Sequence, residues 1–354
     1  MAERPHLFVH AGFPKTGSSA LQYWLDTNTA ALAQAGVSYP RGPSAADAPG
    51  RITSGNGKPL SHYLSPPLRR PGFDAAAFDE SFRRFYLATD KHKILVSSEQ
   101  IGSHATDMLQ TFKQDVVPDV ELTFVVFLRD LYGSARSKWM QGVKRTAWTM
   151  GFDEYVASHA PTAVHKLKSM AQILGPDNVR VLHYDSVAAD IVGALLEAIG
   201  VDKAIGGGIS RPGLVNRSLT SAETRVLIEC SRRHGQRRIA RLLSDHFMDR
   251  HPDRVSTHLP DPAIVDMLAE KFSAEIRWVN NTFFGGRGVF GAGGREPSTP
   301  GGGAEMKEEE VWSEVALLLA DALAAQLGPE RSLDDIRNKT GRRQPGPVAS
   351  RKTQ

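Results

Sequence analysis

Gly12-Phe13-Pro14-Lys15-Thr16-Gly17-Ser18-Ser19 is the stretch of this sequence best suited to chemistry on an anion. Two glycines bracket a lysine, and three hydroxyls crowd around the second glycine. A short apolar run, His6–Gly12, leads in and reads as a buried strand. Leu21, Trp24, Leu25 and Leu32 lead out at helical spacing, predicting a helix across Ser18–Gln34. A strand, a glycine turn and a helix in succession aim backbone N–H groups and the positive end of a helix dipole at one point, which is a cradle for a phosphate-like group. An ATP-binding loop of the form G-x-x-x-x-G-K-[ST] carries its lysine directly after the second glycine. Here Ser18 stands in that place, Ser19 keeps the hydroxyl position, and the lysine lies inside the loop as Lys15. That displacement argues against a triphosphate held with Mg²⁺ in the manner of a kinase.

A second cation comes from another strand. Glu121–Leu128 is a continuous β-branched and aromatic run, the clearest strand in the sequence, and Arg129 closes it. Open α/β sheets bind their ligands at the C-terminal ends of the strands, so Arg129 is placed either to grip an anion or simply to pair with Asp130 or a helix end at the surface. Ser137 follows in a predicted helix, Tyr132–Lys144, with Gln141, Lys144 and Arg145 on its later turns. A third strand, Lys93–Ser97, delivers Glu99 to the same sheet edge, where a carboxylate can take a proton from a reacting hydroxyl. Ser97 and Gln100 have capping-box spacing, so the same segment also reads as a helix start. His62 and His104 are lone histidines, a type more often structural or at the surface than reactive.

The segment PKTGSSALQ resembles the 5′-phosphosulfate loop of sulfotransferases that use 3′-phosphoadenosine 5′-phosphosulfate (PAPS). FLRDLYGSARSKW is similar to the 3′-phosphate motif of the same family, an arginine closing a strand and a serine at this spacing. Leu131 stands where that family often has proline. The resemblance covers roughly Phe8 to Phe284 and implies a P-loop NTPase-like fold. It implies that Lys15, Thr16, Gly17, Ser18 and Ser19 hold the 5′-phosphosulfate, with Lys15 catalytic, and that Arg129 and Ser137 hold the 3′-phosphate. Bacterial members and the related heparan sulfate enzymes often carry a glutamate in the place of Glu99, which makes Glu99 the expected general base. Gln141 and Lys144 match residues that bacterial members often have, and with His62 they are expected on the acceptor side. Arg217, in an N-x-S-L segment also found in bacterial relatives, is expected near the nucleotide, with Asn216 or Ser218 as a helix cap. No single ring is marked out to stack on the adenine: Trp24, Trp139 and Phe13 could each do so, and core packing explains each equally well. The implied product is 3′,5′-bisphosphoadenosine (PAP), and no metal is required. The acceptor is a hydroxyl or amine of a carbohydrate, lipid or small molecule. Two rival readings are a small-molecule kinase and an inactive fold relative that binds a glycan or protein partner.

These residues need a scaffold that brings several strand tips together. Strands alternate with helices from His6 to Ile199: besides those named, Ala75–Thr89 and Gly102–Val116 read as helices, Asn178–His183 as a strand and Ile191–Ile199 as a helix. That alternation predicts an α/β fold of three layers, a parallel sheet flanked by helices. Extra helices follow, over Leu219–His234 and Asp261–Asn280. Residues 41–70 are rich in Pro, Gly and Ser and read as a long loop. The expected organisation is a catalytic domain over 1–284, a flexible Gly-rich linker over 285–304, an amphipathic helix over 305–328 and a largely disordered basic tail over 329–354.

The 354 residues, 41% hydrophobic, suffice for one large core. Formal net charge is +4, a mild excess that suits an anionic ligand; no nucleic-acid partner is expected. Cys230 is the single cysteine, which excludes an internal disulfide and a cysteine-rich metal site. No segment has the length and apolarity of a signal peptide or membrane span, so the expectation is a cytoplasmic protein with at most peripheral membrane contact. The cluster Arg232, Arg233, Arg237, Arg238 and Arg241 would suit an acidic glycan or a membrane surface, or simply solvent.

Overall fold

The structure is a computed structural model. It describes residues 4–40, 55–65, 72–104, 108–206, 218–252, 254, 260–293 and 307–327. Five strands form one sheet: β1 (His6–Ala11), β2 (Val37–Ser38), β3 (Lys93–Ser98), β4 (Glu121–Leu128) and β5 (Val179–His183). Their spatial order is β2-β3-β1-β4-β5, and every pairing is parallel. The chain leaves β1 toward β2 on one side, and leaves β4 toward β5 on the other. Neighbouring strands with outgoing connections in opposite directions open a crevice at their C-terminal ends.

Helices cover both faces. The first half of the chain supplies α1 (Ser18–Thr27), α2 (Thr29–Gln34), α3 (Lys58–Leu64), α4 (Ala75–Phe82), α5 (Glu99–His104) and α6 (Leu109–Thr111). After β4 come α7 (Leu131–Thr146), α8 (Phe152–Ser158) and α9 (Thr162–Leu174), and after β5 come α10 (Tyr184–Val187) and α11 (Ile191–Ala198). The remainder is helical: α12 (Ser221–His234), α13 (Arg237–Arg250), α14 (Pro262–Lys271), α15 (Ser273–Phe283) and α16 (Glu308–Leu327). The pleat sorts the strand residues between two cores. Phe8, Leu95, Val125 and Phe127 face α1 and α11, packing on Leu21, Trp24, Leu25, Leu195 and Leu196. Leu7, Val9, Val96, Phe124 and Val126 face the larger opposite layer, in which α3, α7, α9 and α12 pack.

The predicted strands agree with the structure to within a residue at each end; β1, β3 and β4 are runs buried along most of their length, whereas β5 is an edge strand with Arg180 exposed. The predicted helices fragment more. Ser18–Gln34 breaks at Asn28, whose side-chain amide donates to the Trp24 carbonyl and ends the first helix. Asp261–Asn280 breaks at Phe272. Ala75–Thr89 begins as α4 and continues as a π-helical turn, Arg83–Leu87. The predicted loop over 41–70 contains α3, whose Leu60, Tyr63 and Leu64 are buried. Thr220, rather than Asn216 or Ser218, caps α12; its hydroxyl accepts from Glu223 N, and the Glu223 carboxylate accepts from Thr220 N.

The Gly-rich segment expected as a flexible linker is packed over its first part. Phe290 is buried in the larger core. The Asn280 side chain clamps the segment, accepting from Val289 N and Phe290 N and donating to the Phe290 carbonyl. Leu131 N then donates to the Gly291 carbonyl, and Tyr132 N to the Ala292 carbonyl. One buried aromatic and one buried amide thus hold a stretch whose composition reads as linker. The rest of the expected linker, and the basic tail, lie outside the described residues.

Candidate active site

The loop after β1 lies between the tips of β3 and β4, because β1 is the middle strand of the three. Its backbone is contorted: Lys15 has φ 68° and Gly17 has φ 73°, both left-handed. Glycine accepts that conformation freely, whereas a lysine holds it at a cost of about 1–2 kcal/mol. Thr16 is buried and braces the turn by donating its hydroxyl to the Phe13 carbonyl at 2.8 Å. Gly12 leaves no room for a side chain: a Cβ there would stand 2.6 Å from Ser18 Oγ and 2.9 Å from Glu99 Cα.

The start of α1 has no side-chain cap and no acidic residue in its first turn. Asp74, Asp190, Thr220 and Asp261 cap α4, α11, α12 and α14, whereas α2, α3, α7, α8, α9, α10, α13 and α15 lack a side-chain cap as α1 does, so what sets α1 apart is Ser18. Ser18 Oγ is buried without a hydrogen-bond partner among the described residues. A buried hydroxyl with no partner is unfavourable, and an oxygen-bearing anion at this helix start would satisfy it together with the free N–H groups. The loop therefore fits the 5′-phosphosulfate end of PAPS in donor chemistry.

Lys15 and Glu99 share this place. Lys15 is exposed as a residue, yet partial burial of its amine lowers its pKa; the Glu99 carboxylate opposes that shift and the Arg145 guanidinium adds to it. Glu99 is half-buried at the first position of α5. The residue beside the α5 start is Ser98, whose hydroxyl accepts from Gln100 N at 3.3 Å. Ser97, expected in that role, instead shares a 2.8 Å hydrogen bond with His10 inside the smaller core. Ser19 is exposed at the mouth of the loop.

Arg129 occupies the tip of β4 and is already partnered. Its Nε donates to Asp185 Oδ1 at 3.3 Å, and its guanidinium lies 5.5 Å from the Tyr184 ring centroid. A Cβ on Gly133 would stand 2.6 Å from Arg129 Nε, so the guanidinium lies over the first turn of α7. Ser137 is one turn further along that helix face and is half-buried. Asp185 also accepts from Asp130 N at 2.9 Å. Buried His183 donates from Nε2 to Asp130 Oδ1 at 3.0 Å, and its Nδ1 meets Ser186 Oγ at 2.7 Å. Asp130 Oδ1 accepts from Gly291 N as well. Asp185, His183 and Asp130 are site residues that sequence reasoning passed over; the signal was an aspartate two residues beyond a strand end in the run VRVLHYD.

Other expectations fare differently. Gln141 is exposed on α7. Lys144 is buried, with Nζ 3.6 Å from Met248 Sδ of α13, so its amine points into a helix interface rather than an open cleft. Its neighbour Arg145, bonded to Asp245 at 2.7 Å, is the basic residue of that turn whose charge reaches Lys15. His62 lies half-buried on α3. Arg217 and the His104 side chain lie outside the described residues. Trp24, Trp139 and Phe13 are all buried in the two cores. Among the described residues no helix is long and apolar enough to cross a membrane.

No family model matches the chain, and no curated protein does. Among solved structures, the fold is similar to that of a sulfotransferase from Alicyclobacillus acidocaldarius, at 15% identity and TM-score 0.40, covering 79% of this chain and 96% of the other. A retinol dehydratase in complex with androsterone and the inactive cofactor PAP aligns at 13% identity and TM-score 0.29, covering 80% of this chain and 82% of the other.

Proposed function

We propose that the protein is a cytoplasmic sulfotransferase moving a sulfuryl group from PAPS to a hydroxyl or amine of a carbohydrate, lipid or small-molecule acceptor. The observation that carries the reading is the uncapped start of α1, with the unpartnered Ser18 hydroxyl inside it, Lys15 in the loop, and Glu99 against Gly12. An anion cradle, a cation and a carboxylate meet there in a few residues.

The roles follow from what each group can do. The N–H groups of α1, with Thr16, Ser18 and Ser19, bind the 5′ end of the donor, and Arg129 with Ser137 binds the 3′-phosphate. Bound there, PAPS supplies a sulfuryl group on a phosphate leaving group. Glu99 accepts the proton of the attacking acceptor hydroxyl. Lys15 holds positive charge where negative charge grows on the departing phosphate oxygen. Asp185 and Tyr184 orient Arg129. The side chains that fit PAPS include no lysine directly after Gly17, the position a triphosphate-binding loop requires.

The test is calorimetric titration with PAP and with ATP, each with and without Mg²⁺, followed by incorporation of labelled sulfate into acceptor extracts. PAP binding that is indifferent to Mg²⁺, with PAPS-dependent labelling, is the expected result. Tight Mg²⁺-dependent ATP binding with no affinity for PAP would overturn it. Glu99→Gln is expected to lower turnover by about 10²-fold or more and to leave PAP affinity within about twofold; undiminished turnover in that variant would remove Glu99 from the reaction.

A further inference from the structure

The C-terminal helix α16 is two helices in character. Its first half is fixed to the body. Val311 and Val315 are buried, and Glu314 accepts from Arg254 at 3.0 Å and pairs with His251 at 2.7 Å. Its second half turns apolar, and apart from Leu318, which packs on the core, its described side chains from Ala316 to Leu323 are exposed. From Val315 to Leu327 the only charged residue is Asp321. Leu317, Leu319 and Leu323 are 58%, 57% and 58% exposed, and Ala316 and Ala320 beside them are exposed too. Leu319 and Leu323, one turn apart, form an exposed apolar face with Ala316 and Ala320, and Leu317 stands at its far edge, about 160° round the helix from Leu319.

The patch has a basic, aromatic border. Trp312, Leu319 and Leu323 fall along one line of the helix. The Arg233 guanidinium lies 6.0 Å from the Trp312 ring centroid. Arg225, Arg232 and Arg233 rise from one stripe of α12 and, with Trp312, line an open pocket of about 550 Å³ between α12 and α16. Glu229 and Glu308 share that pocket, pairing with Arg233 at 2.9 Å and Arg225 at 3.7 Å, so the pocket itself keeps one net positive charge. Exposed Arg237 and Arg238 follow in the first turn of α13. In sequence, Arg337, Lys339, Arg342, Arg343, Arg351 and Lys352 come after this helix, with no Asp or Glu beyond Asp335.

We propose that the outer face of α16, with the α12 arginines beside it, is a docking surface for an anionic lipid bilayer. The leucines enter the acyl boundary, Trp312 sits at the headgroup level, and Arg232 and Arg233 meet the lipid phosphates. Charge chooses this occupant over a second copy of the chain. A two-fold pairing through the same leucines would bring two arginine clusters toward one another, whereas an anionic leaflet neutralises them and also attracts the basic residues that follow. An apolar face and a polybasic segment are the two weak signals that together give stable peripheral binding.

The test uses the full chain. Its sedimentation is measured with vesicles of phosphatidylcholine alone and with vesicles containing about a quarter phosphatidylglycerol. Binding to the anionic vesicles is expected, at least about tenfold weaker on the neutral ones and weakening with salt. Leu319→Asp/Leu323→Asp, and separately Arg232→Glu/Arg233→Glu, should each reduce it by about tenfold or more. Leu319→Ser/Leu323→Ser, a milder change at the same exposed positions, gives the same direction with the thermal midpoint unchanged. No vesicle binding by the parent chain overturns the proposal. So does binding that survives the leucine substitutions, which would assign it to the basic segment alone. So does a dimer in vesicle-free ultracentrifugation that the leucine substitutions dissociate.

Discussion

Two helices begin at the strand tips that carry the candidate site, and they treat their free N–H groups in opposite ways. At α1 the first turn has no cap, no acidic residue and a buried hydroxyl without a partner. At α7 the chain supplies its own acceptors: the Gly291 and Ala292 carbonyls take the Leu131 and Tyr132 N–H groups. Asp130, the residue in capping position there, spends its carboxylate on His183 and Gly291 N instead. Both starts lie at the end of the sheet where ligands bind, so the difference separates their tasks. On the proposed reading, the start of α1 is left open for the donor's 5′ end. The start of α7 is closed off, and the charge offered beside it is a single side chain, Arg129, held in place by Asp185.

The contrast can be tested by undoing each end in turn. The largest effect is expected from Phe290→Ala, which removes the buried anchor of the segment covering α7. Loss of a fully buried phenylalanine should lower unfolding stability by about 3–5 kcal/mol, measured by urea denaturation, with PAP affinity falling as Arg129 loses its frame. Lys15→Ala empties the other end. It should cut turnover by about 10²–10³-fold while leaving the circular dichroism spectrum unchanged. Lys15→Gly should be equally inactive yet more stable than the parent by about 1 kcal/mol, because glycine relieves the left-handed backbone. A Lys15→Gly protein no more stable than Lys15→Ala would mean the loop is not strained in solution.

Acid provides the next test. Burial holds the imidazoles of His10, two residues before the loop, and His159 down to about 4. Both start from an ordinary value of 6.5. The unfolded chain therefore takes up these protons first as pH falls, so stability is full above 6.5 and declines toward 4. The decline should reach about 3 kcal/mol for His10 and less for His159, which is partly solvated and shifted also by Lys138 and Lys271, followed by thermal melts across that range, and His10→Gln should remove its share. The smallest effect belongs to Arg129→Ala, a loss of about 10–100-fold in PAP affinity with Mg²⁺ independence intact. A larger loss there than at Lys15 would reverse the assignment of the two ends.

Much of this site could be read from the chain because it is local. The loop from Gly12 to Ser19 joins adjacent elements, and the run ending at Leu128 announces both a buried strand and the residue at its tip. What escaped reading depends on distant partners. Nothing near Arg129 in sequence shows that Asp185 will hold it, and nothing near Asp130 points to Gly291. Composition also misled where a few contacts outweigh many residues, as when Phe290 and Asn280 turn a glycine-rich stretch into part of the core. Lys144 and Arg145 show the finest limit. They are adjacent on α7, and a difference of one position in the helical turn sends one amine to Met248 and places the other cation near Lys15.

The tie between Asp130 and Gly291 spans 161 positions of chain. At a synthesis rate of about 5–20 residues per second, about 8–30 s separate the appearance of the two partners on the ribosome. The sheet and the β1 loop can assemble early in that interval. The start of α7, and with it the setting of Arg129, waits for a late-translated stretch, so a nascent chain would acquire the two ends proposed for the donor in sequence rather than together.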